Sequence, residues 1–316
     1  MRVLVTGGAG FIGSHIVDLL VEAGHDVAII DNFWEHGGGR RTNLNPQARL
    51  FELDIRDPAL TDVFFEFKPE VVSHHAAQHS VAISTRDPLY DADVNARGLL
   101  NVATAVVKAK TRKLIFASSA ATYGTPRYLP IDEGHPQAPE SPYGITKLIG
   151  EHYLRYFATA SDLRYTALRY GNVYGPRQDP NGEAGVIAIF CGKILAAQPI
   201  RIDWDGEQTK DYVFVGDVAR ANLLAIDAAD NDVLNIGTGI GTSVNALHRG
   251  IAESVGRDVA VIRAPRRTGD VRTCVFAIDK ARAALGWRPE TDLARGFAAT
   301  AGFFKEADAA GAQAGS

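Results

Sequence analysis

Short runs of apolar, β-branched residues recur along the first half of the chain. Val3-Leu4-Val5, Val27-Ala28-Ile29-Ile30, Leu50-Phe51-Glu52-Leu53, Val71-Val72-Ser73 and Leu114-Ile115-Phe116 have strand length. Near-continuous apolar runs of this kind suit parallel strands covered on both faces. Stretches with helical spacing lie between them, such as Ile16 to Ala23 and Val94 to Lys108. The alternation predicts βαβ units and a Rossmann-like, doubly wound parallel sheet, an α/β fold. Beyond Tyr174 the texture changes: Gly175-Pro176-Arg177-Gln178-Asp179-Pro180-Asn181-Gly182 is turn-forming, and the elements that follow are shorter. Val233-Leu234-Asn235-Ile236-Gly237 reads as a late strand able to rejoin the first sheet. The expected organisation is a larger domain over residues 1–175, rejoined by about 211–240, and a smaller C-terminal lobe from 176–210 and 241–308. Residues 309–316 read as a flexible tail.

The first strand runs into Gly7-Gly8-Ala9-Gly10-Phe11-Ile12-Gly13, with glycines spaced as GxxGxxG ahead of a predicted helix. That context gives a weak motif its meaning. Gly7 permits the tight turn, Gly10 clears a side chain from the path of a pyrophosphate, and Gly13 lets helix and strand pack closely. The helix N-terminus offers free N–H groups to the phosphates. Asp31 ends the second strand near the offset at which an acid grips ribose hydroxyls, with Asn32 beside it. The charge of Asp31 should repel a 2′-phosphate, which favours NAD over NADP. Arg40 and Arg41 follow in a glycine-rich loop and could reach such a phosphate, although solvated loop arginines are the plainer account. Asp54-Ile55 follows the third strand, where an acid can accept from an adenine amino group.

Bulk properties narrow the classes further. The 316 residues are 46% hydrophobic and 22% charged, with a net charge of −4. That balance suits a folded domain and gives no electrostatic case for nucleic acid. No apolar run reaches the roughly 20 residues that span a bilayer. The two cysteines, Cys191 and Cys274, fit no metal-ligand spacing and read as reduced thiols. His74, His75 and His79 cluster without a carboxylate or cysteine to complete a ligand set, so no metal is expected. The chain begins directly in a strand, with no room for a signal peptide, and a cytoplasmic location is expected.

The candidate chemistry lies at Tyr143-Gly144-Ile145-Thr146-Lys147, after the helix-start signal Ser141-Pro142. Residues i and i+4 share one helix face, so Lys147 stands about one turn from Tyr143. A tyrosine with a pKa of about 10 is a poor base at neutral pH, but Lys147 and a nicotinamide cation would stabilise its phenolate. With the glycine turn upstream, the pair resembles that of the extended short-chain dehydrogenase/reductases. Within them the chain is similar to the NAD-dependent epimerase/dehydratase family and its UDP-glucose 4-epimerase branch. The resemblance rests on Thr6 through His15, His75-Ala76-Ala77-Gln78, Val94-Asn95, Ser118-Ser119-Ala120, Tyr143 through Lys147, Leu168 through Arg177 and Arg267-Thr268-Gly269-Asp270.

The resemblance implies roles residue by residue. Ser119, Tyr143 and Lys147 form the catalytic set, with Ser119 on the sugar's 4-oxygen and Tyr143 as the acid/base. NAD is held by Gly7, Gly10, Phe11, Ile12 and Gly13 at the turn, and by Asp31, Asn32, Asp54 and Ile55 at the adenosine end. Ala76, Ala77, Gln78, Asn95, Tyr143, Lys147 and Tyr170 complete the cofactor set. For the substrate, Asn172 and Arg267 fall where the family holds a pyrophosphate and Ala184-Gly185-Val186 where it cradles the base, with Asp270 also in the substrate-binding set. Lys210 replaces the family's usual arginine before Asp211-Tyr212, keeping the charge but losing the bidentate fork.

The expected reaction is inversion at C4 of a UDP-hexose through a transient 4-keto sugar, in a homodimer paired through helices near 94–108 and 143–157. Alternatives remain: a UDP-glucuronate 4-epimerase, a nucleotide-sugar dehydratase or reductase, and a catalytically silent NAD-binding module. Dehydration is disfavoured because Ala120 and Ala121 stand where dehydratases of the family carry an Asp-Glu pair. No nucleophile elbow accompanies Ser119, which argues against a seryl hydrolase. Trp34 and Trp204 read as packing or loop anchors. Ser118 should serve the backbone or cofactor edge, with an exchange of roles between Ser118 and Ser119 left open.

Overall fold

A computed structural model describes residues 1–35, 37–180, 185–266 and 271–314. The apolar runs become β1 (Arg2–Thr6), β2 (Asp26–Asp31), β3 (Arg49–Glu52), β4 (Val71–His74), β5 (Lys113–Ser119) and β6 (Arg164–Tyr170). The short strands β7 (Asn172–Tyr174), β8 (Ile200–Asp203) and β9 (Thr209–Phe214) leave this sheet, and β10 (Asp232–Ile236) returns to its edge. The seven-stranded sheet has the order β10-β6-β5-β4-β1-β2-β3. Its strands are parallel throughout.

Strand order reverses between β1 and β4, where Thr6 pairs with His74. A crevice opens at such a switch point because the flanking connections depart to opposite faces. The period of two along β1 distributes its side chains to those faces. Val3 and Val5 join Ile16, Val17 and Leu20 of α1 (Phe11–Glu22) in one buried cluster. Leu4 joins Leu60 and Phe64 of α2 (Leu60–Phe67) in the other. The next helices are the short α3 (Val81–Arg86) and α4 (Pro88–Ala92). A π-helical turn, Asp93–Arg97, then leads into α5 (Gly98–Lys108), so the helix expected over Val94 to Lys108 is two geometries in series. Helix α6 (Pro142–Ala160) begins where Ser141-Pro142 predicts, with Ser141 Oγ accepting from Gly144 N at 3.1 Å.

The smaller lobe has a core of its own. Ile187, Phe190 and Ile194 of α7 (Val186–Leu195) meet Leu247 and Ile251 of α9 (Val244–Val255). Phe297 and Ala301 of α11 (Leu293–Ala314) close it. Strand β9 pairs with β7, antiparallel with β11 (Gly241–Ser243), and with β13 (Thr273–Cys274), while β12 (Val261–Ala264) pairs with β8. Helix α8 (Val215–Ala225) instead packs its Val218 and Ala221 against α1. Three segments depart from the expected division: β7 and the 211–214 end of β9, expected with the larger domain, lie in the smaller sheet, and a later segment goes the other way. Residues of α10 (Asp279–Leu285) and Trp287 join the core with α1 and α8, although 241–308 reads from the sequence as smaller-lobe chain. The apolar Ala281, Leu285 and Trp287 find a ready-made face there.

Trp287 is fully buried, and its indole donates to Asp217 O at 2.9 Å. The Asp217 carboxylate in turn accepts from Glu290 N and Thr291 N at 3.0 Å each. Truncating Trp287 leaves a large cavity and an orphaned carbonyl, so Trp287→Ala should cost about 3–5 kcal/mol of unfolding free energy. Urea unfolding followed by circular dichroism measures it, and a loss below about 1 kcal/mol would show that the 279–287 segment is not anchored through this side chain.

Candidate active site

The glycine turn sits at the switch point with no room to spare. Gly7 has φ +69°, and a Cβ placed there would lie 2.6 Å from Ala76 N. A Cβ on Gly13 would fall 2.1 Å from Gly7 O. No side chain caps α1 at Gly10, and its first turn carries no acid, so the N–H groups of Phe11 and Ile12 begin a helix open to an anion. Asp31 is buried at the end of β2 and accepts from Ala9 N at 3.1 Å and Phe33 N at 3.0 Å. Burial pushes this carboxyl up, against the pull of those backbone N–H groups. The same acid that closes the turn thus faces the adenosine end of the expected cofactor site.

The loop arginines are committed elsewhere. Arg41 pairs with Glu52 at 2.7 Å and lies over the Phe33 ring. Arg40 donates to the carbonyls of Gly37 and Gly39 and stands 3.6 Å from Asp179. At the end of β3, Arg56 donates from both Nε and a terminal nitrogen to Asp54, and Asn32 Nδ2 adds a third bond at 2.8 Å. These contacts hold the Asp54 carboxyl down at about 2. Ile55 is buried beside Gly98.

The loop after β4 supplies the opposite wall. Ala76 N donates to Thr6 Oγ1 at 3.2 Å, and Gln78 N donates to Asn95 Oδ1 at 2.9 Å. His74 and His75 are neutralised packing groups, and His79 stands on the exposed side of the same loop. His74 shares a hydrogen bond with Thr6 at 2.6 Å and stacks on Phe116; His75 pairs with the Tyr170 hydroxyl at 3.0 Å. Burial first, and the charge of Lys147 second, depress all three, His75 to about 3. Tyr170, also bonded by Asn222 at 2.9 Å, is buried beneath the cleft.

The catalytic candidates converge at the end of β5. Lys147 Nζ is buried, donates to Ala117 O at 2.8 Å and lies 5.7 Å from the centre of the Tyr143 ring. Burial lowers this ammonium to about 8, with Asp91 acting in the other direction. The Tyr143 phenol lies beside the Ser119 side chain. Burial raises the phenol to about 12, Ser119 opposing and the charge of Asp91 adding. From helical spacing a neighbouring cation is expected to favour the phenolate. Among the protein's own groups desolvation prevails and Asp91 adds to it, while the Lys147 ammonium is directed at the Ala117 carbonyl.

Ser118 and Ser119 point apart. Ser118 Oγ donates to the buried Glu151 at 2.5 Å, and Glu151 is clamped by Arg169 at 2.9 and 2.6 Å. Ser119, half-buried, accepts from Ala121 N at 3.2 Å and meets Tyr143. Adjacent strand positions face opposite ways, which assigns the inward hydroxyl to Ser118.

In the smaller lobe Asn172 is exposed at the start of β7. Gly185, with φ +102°, caps α7 ahead of Val186, and its missing Cβ leaves space for Gln178. Lys210 Nζ donates to Val271 O at 2.8 Å. Ala184, Arg267 and Asp270 lie outside the described residues. Asp91 and Thr146 escape the sequence reading altogether, though both contact the site. The available signal was slight, an aspartate four residues before Asn95 in a run that also carries Asp87, Asp93 and Arg97.

These features fit a dinucleotide: a turn that tolerates no Cβ, an uncapped helix N-terminus and an acid closing β2. They define a Rossmann-type enzyme of the short-chain dehydrogenase kind, with a Ser-Tyr-Lys set. The chain belongs to the NAD dependent epimerase/dehydratase family, whose sequence model matches residues 3–237. It is 44% identical over 312 residues to the UDP-glucose 4-epimerase of Mycolicibacterium smegmatis, covering 96% of this chain and 99% of that one. The solved UDP-glucose 4-epimerase of Thermotoga maritima with UDP-glucose superposes with a TM-score of 0.94 at 46% identity, covering 97% of this chain and 99% of that chain. That of Thermus thermophilus in complex with NAD gives 0.92 at 42%, covering 97% and 100%.

The cofactor of this chain is NAD, and the surroundings of Asp31 bear on its discrimination. A 2′-phosphate would meet a buried acid while both nearby arginines are engaged. The dissociation constant for NADP⁺ should therefore exceed that for NAD⁺ by at least about tenfold, or about 1.4 kcal/mol. Equilibrium displacement of bound cofactor measures it, and equal affinities would mean that Arg40 or Arg41 leaves its partner for the phosphate.

Proposed function

We propose that the protein interconverts UDP-glucose and UDP-galactose by inverting C4. The observation that carries this reading is the convergence of Ser119, Tyr143 and Lys147 at the carboxyl end of β5, beside a dinucleotide cradle. When bound, NAD supplies the hydride acceptor and donor, so the sugar passes through a 4-keto form with no net redox change. The chain's own groups handle the proton. Tyr143 takes it from the sugar's 4-hydroxyl and returns it after the keto sugar has turned over. Ser119 stands beside Tyr143 and is placed to bond the 4-oxygen. Lys147 keeps a positive charge 5.7 Å from the centre of the Tyr143 ring, and a nicotinamide cation beside it would oppose the desolvation that holds Tyr143 protonated.

The remaining assignments belong to the same reading. Gly7, Gly10, Phe11, Ile12 and Gly13 hold the pyrophosphate of NAD, and Asp31 the adenosine ribose. Asn172, Arg267 and Lys210 serve the substrate's phosphates, Ala184, Gly185 and Val186 its base, and Asp270 belongs to the same substrate-binding set. The same reading makes the protein a cytoplasmic homodimer paired through α5 and α6. The exposed Tyr153 and Tyr156 on α6 support that face.

Tyr143→Phe removes one hydroxyl and keeps the ring. The expected result is a fall in kcat of about 10²–10⁴-fold with the melting temperature and NAD affinity little changed. Retention of more than about a tenth of the parent kcat would take Tyr143 out of the acid/base role.

The sugar's C6 group is the second test. Arg177 is tied to Asp18 of α1 at 2.7 Å, and Asp179 faces Arg40, so this loop offers an acid and no uncommitted arginine to a glucuronate carboxylate. An exposed like charge is worth up to about 1 kcal/mol, so kcat/KM for UDP-galactose should exceed that for UDP-glucuronate by up to about fivefold. Product analysis by NMR with each sugar decides it, and a ratio favouring the uronate would overturn the hexose assignment.

A further inference from the structure

Asp91 is a fully buried carboxylate at the end of α4, and its partners are the walls of the site. Its Oδ1 accepts from Gln78 Nε2 at 2.7 Å and from Asn95 Nδ2 at 3.0 Å. Its Oδ2 lies 2.9 Å from Thr146 Oγ1, and that hydroxyl also lies 3.0 Å from the Tyr143 carbonyl. One side chain therefore joins the loop after β4, the π-helical turn and the first turns of α6. Thr146 sits between Tyr143 and Lys147 in sequence, so any shift at this joint moves both.

We propose that Asp91 is a positioning residue for the reaction, fixing α6 so that Tyr143 meets Ser119 and supplying the buried counter-charge that keeps Lys147 protonated. This rests on the epimerase reading. Other groups face the pair. His74, His75 and His79 come from β4 and the loop after it, and Ser119 and the Ala117 carbonyl from β5. The histidines are held neutral, so Asp91 is the acid acting on both members of the pair. Its sign is opposite in effect for the two tasks: it favours the ammonium and disfavours the phenolate. Burial already brings Lys147 down to about 8, so loss of the Asp91 charge would let the ammonium deprotonate near neutral pH.

Asp91→Asn separates charge from shape. The amide oxygen can keep the Gln78 and Asn95 bonds, and the amide nitrogen can donate to Thr146 Oγ1, whose proton then goes to the Tyr143 carbonyl. The expected result is an unchanged fold and NAD affinity, with the alkaline limb of the kcat–pH profile moved down by about one pH unit. Tyr143 ionisation, read as the phenolate absorbance lost in Tyr143→Phe, should move down as well. An unmoved profile and an unmoved phenolate titration in a folded Asp91→Asn protein would overturn the proposal.

A pair of variants at Thr146 needs no change at the carboxylate. Thr146→Val, which removes the joint, should lower kcat about tenfold or more with KM little altered, and Thr146→Ser should restore it. Equal kcat in Thr146→Val and the parent would overturn the positioning role. Absence of any epimerisation by the parent protein is the separate outcome that removes the underlying reading.

Discussion

The approach of Gly13 to the Gly7 carbonyl is the constraint on which the rest of the molecule depends. With 2.1 Å between that oxygen and the place of a Cβ, no other residue fits without moving the turn. The turn in turn rests on Ala76 N, so the start of α1 and the loop after β4 are pressed together across the switch point. Thr6 fastens the same seam, accepting from Ala76 N and bonding His74. A sheet whose order reverses at β1 and β4 leaves a crevice there, and this seam forms its floor. Every group that faces the cofactor or the sugar is placed relative to it.

Desolvation sets the electrostatics of that crevice more than any single ion pair. Lys147, Tyr143, Asp91 and the three histidines all titrate away from their ordinary values in the direction burial dictates. The histidines respond by staying neutral, which removes three potential positive charges from the neighbourhood of the phenol. Lys147 retains its charge because it has the Ala117 carbonyl and the Asp91 carboxylate to set against the loss of water. A buried cation with only partial compensation is useful for acid/base work, since its field reaches the phenol with little screening.

The fold was legible because its signals are local and periodic. The apolar runs at Val3, Val27, Val71 and Leu114 are strands, and the turn signals at Gly7 and Ser141-Pro142 open helices where expected. The Tyr143 and Lys147 pair was legible for the same reason, since helical spacing alone puts both on one face. What the sequence hid are relations across the fold. Asp91 looks like any surface acid of a short helix until the loop after β4 and α6 close over it. The opposite orientations of Ser118 and Ser119 depend on which face of β5 carries Glu151 and Arg169. The return of Trp287 to the larger core depends on a face formed by α1 and α8, far away in sequence.

The two lobes are joined at the cleft by three contacts in one short run of chain. His15 of α1 meets Pro176 O at 3.0 Å, Arg177 pairs with Asp18, and Asp179 faces Arg40 across the mouth. The ion pairs are partly exposed, and such pairs contribute at most about 1 kcal/mol each. Their value is geometric, because all three start from α1 or from the loop after β2. The first loop of the smaller lobe is thereby registered against the same helix whose N-terminus is left uncapped at Gly10. The separation between the cofactor cradle and the sugar site is then fixed by α1 itself. A substitution at His15 or Asp18 therefore acts on that separation without touching either ligand.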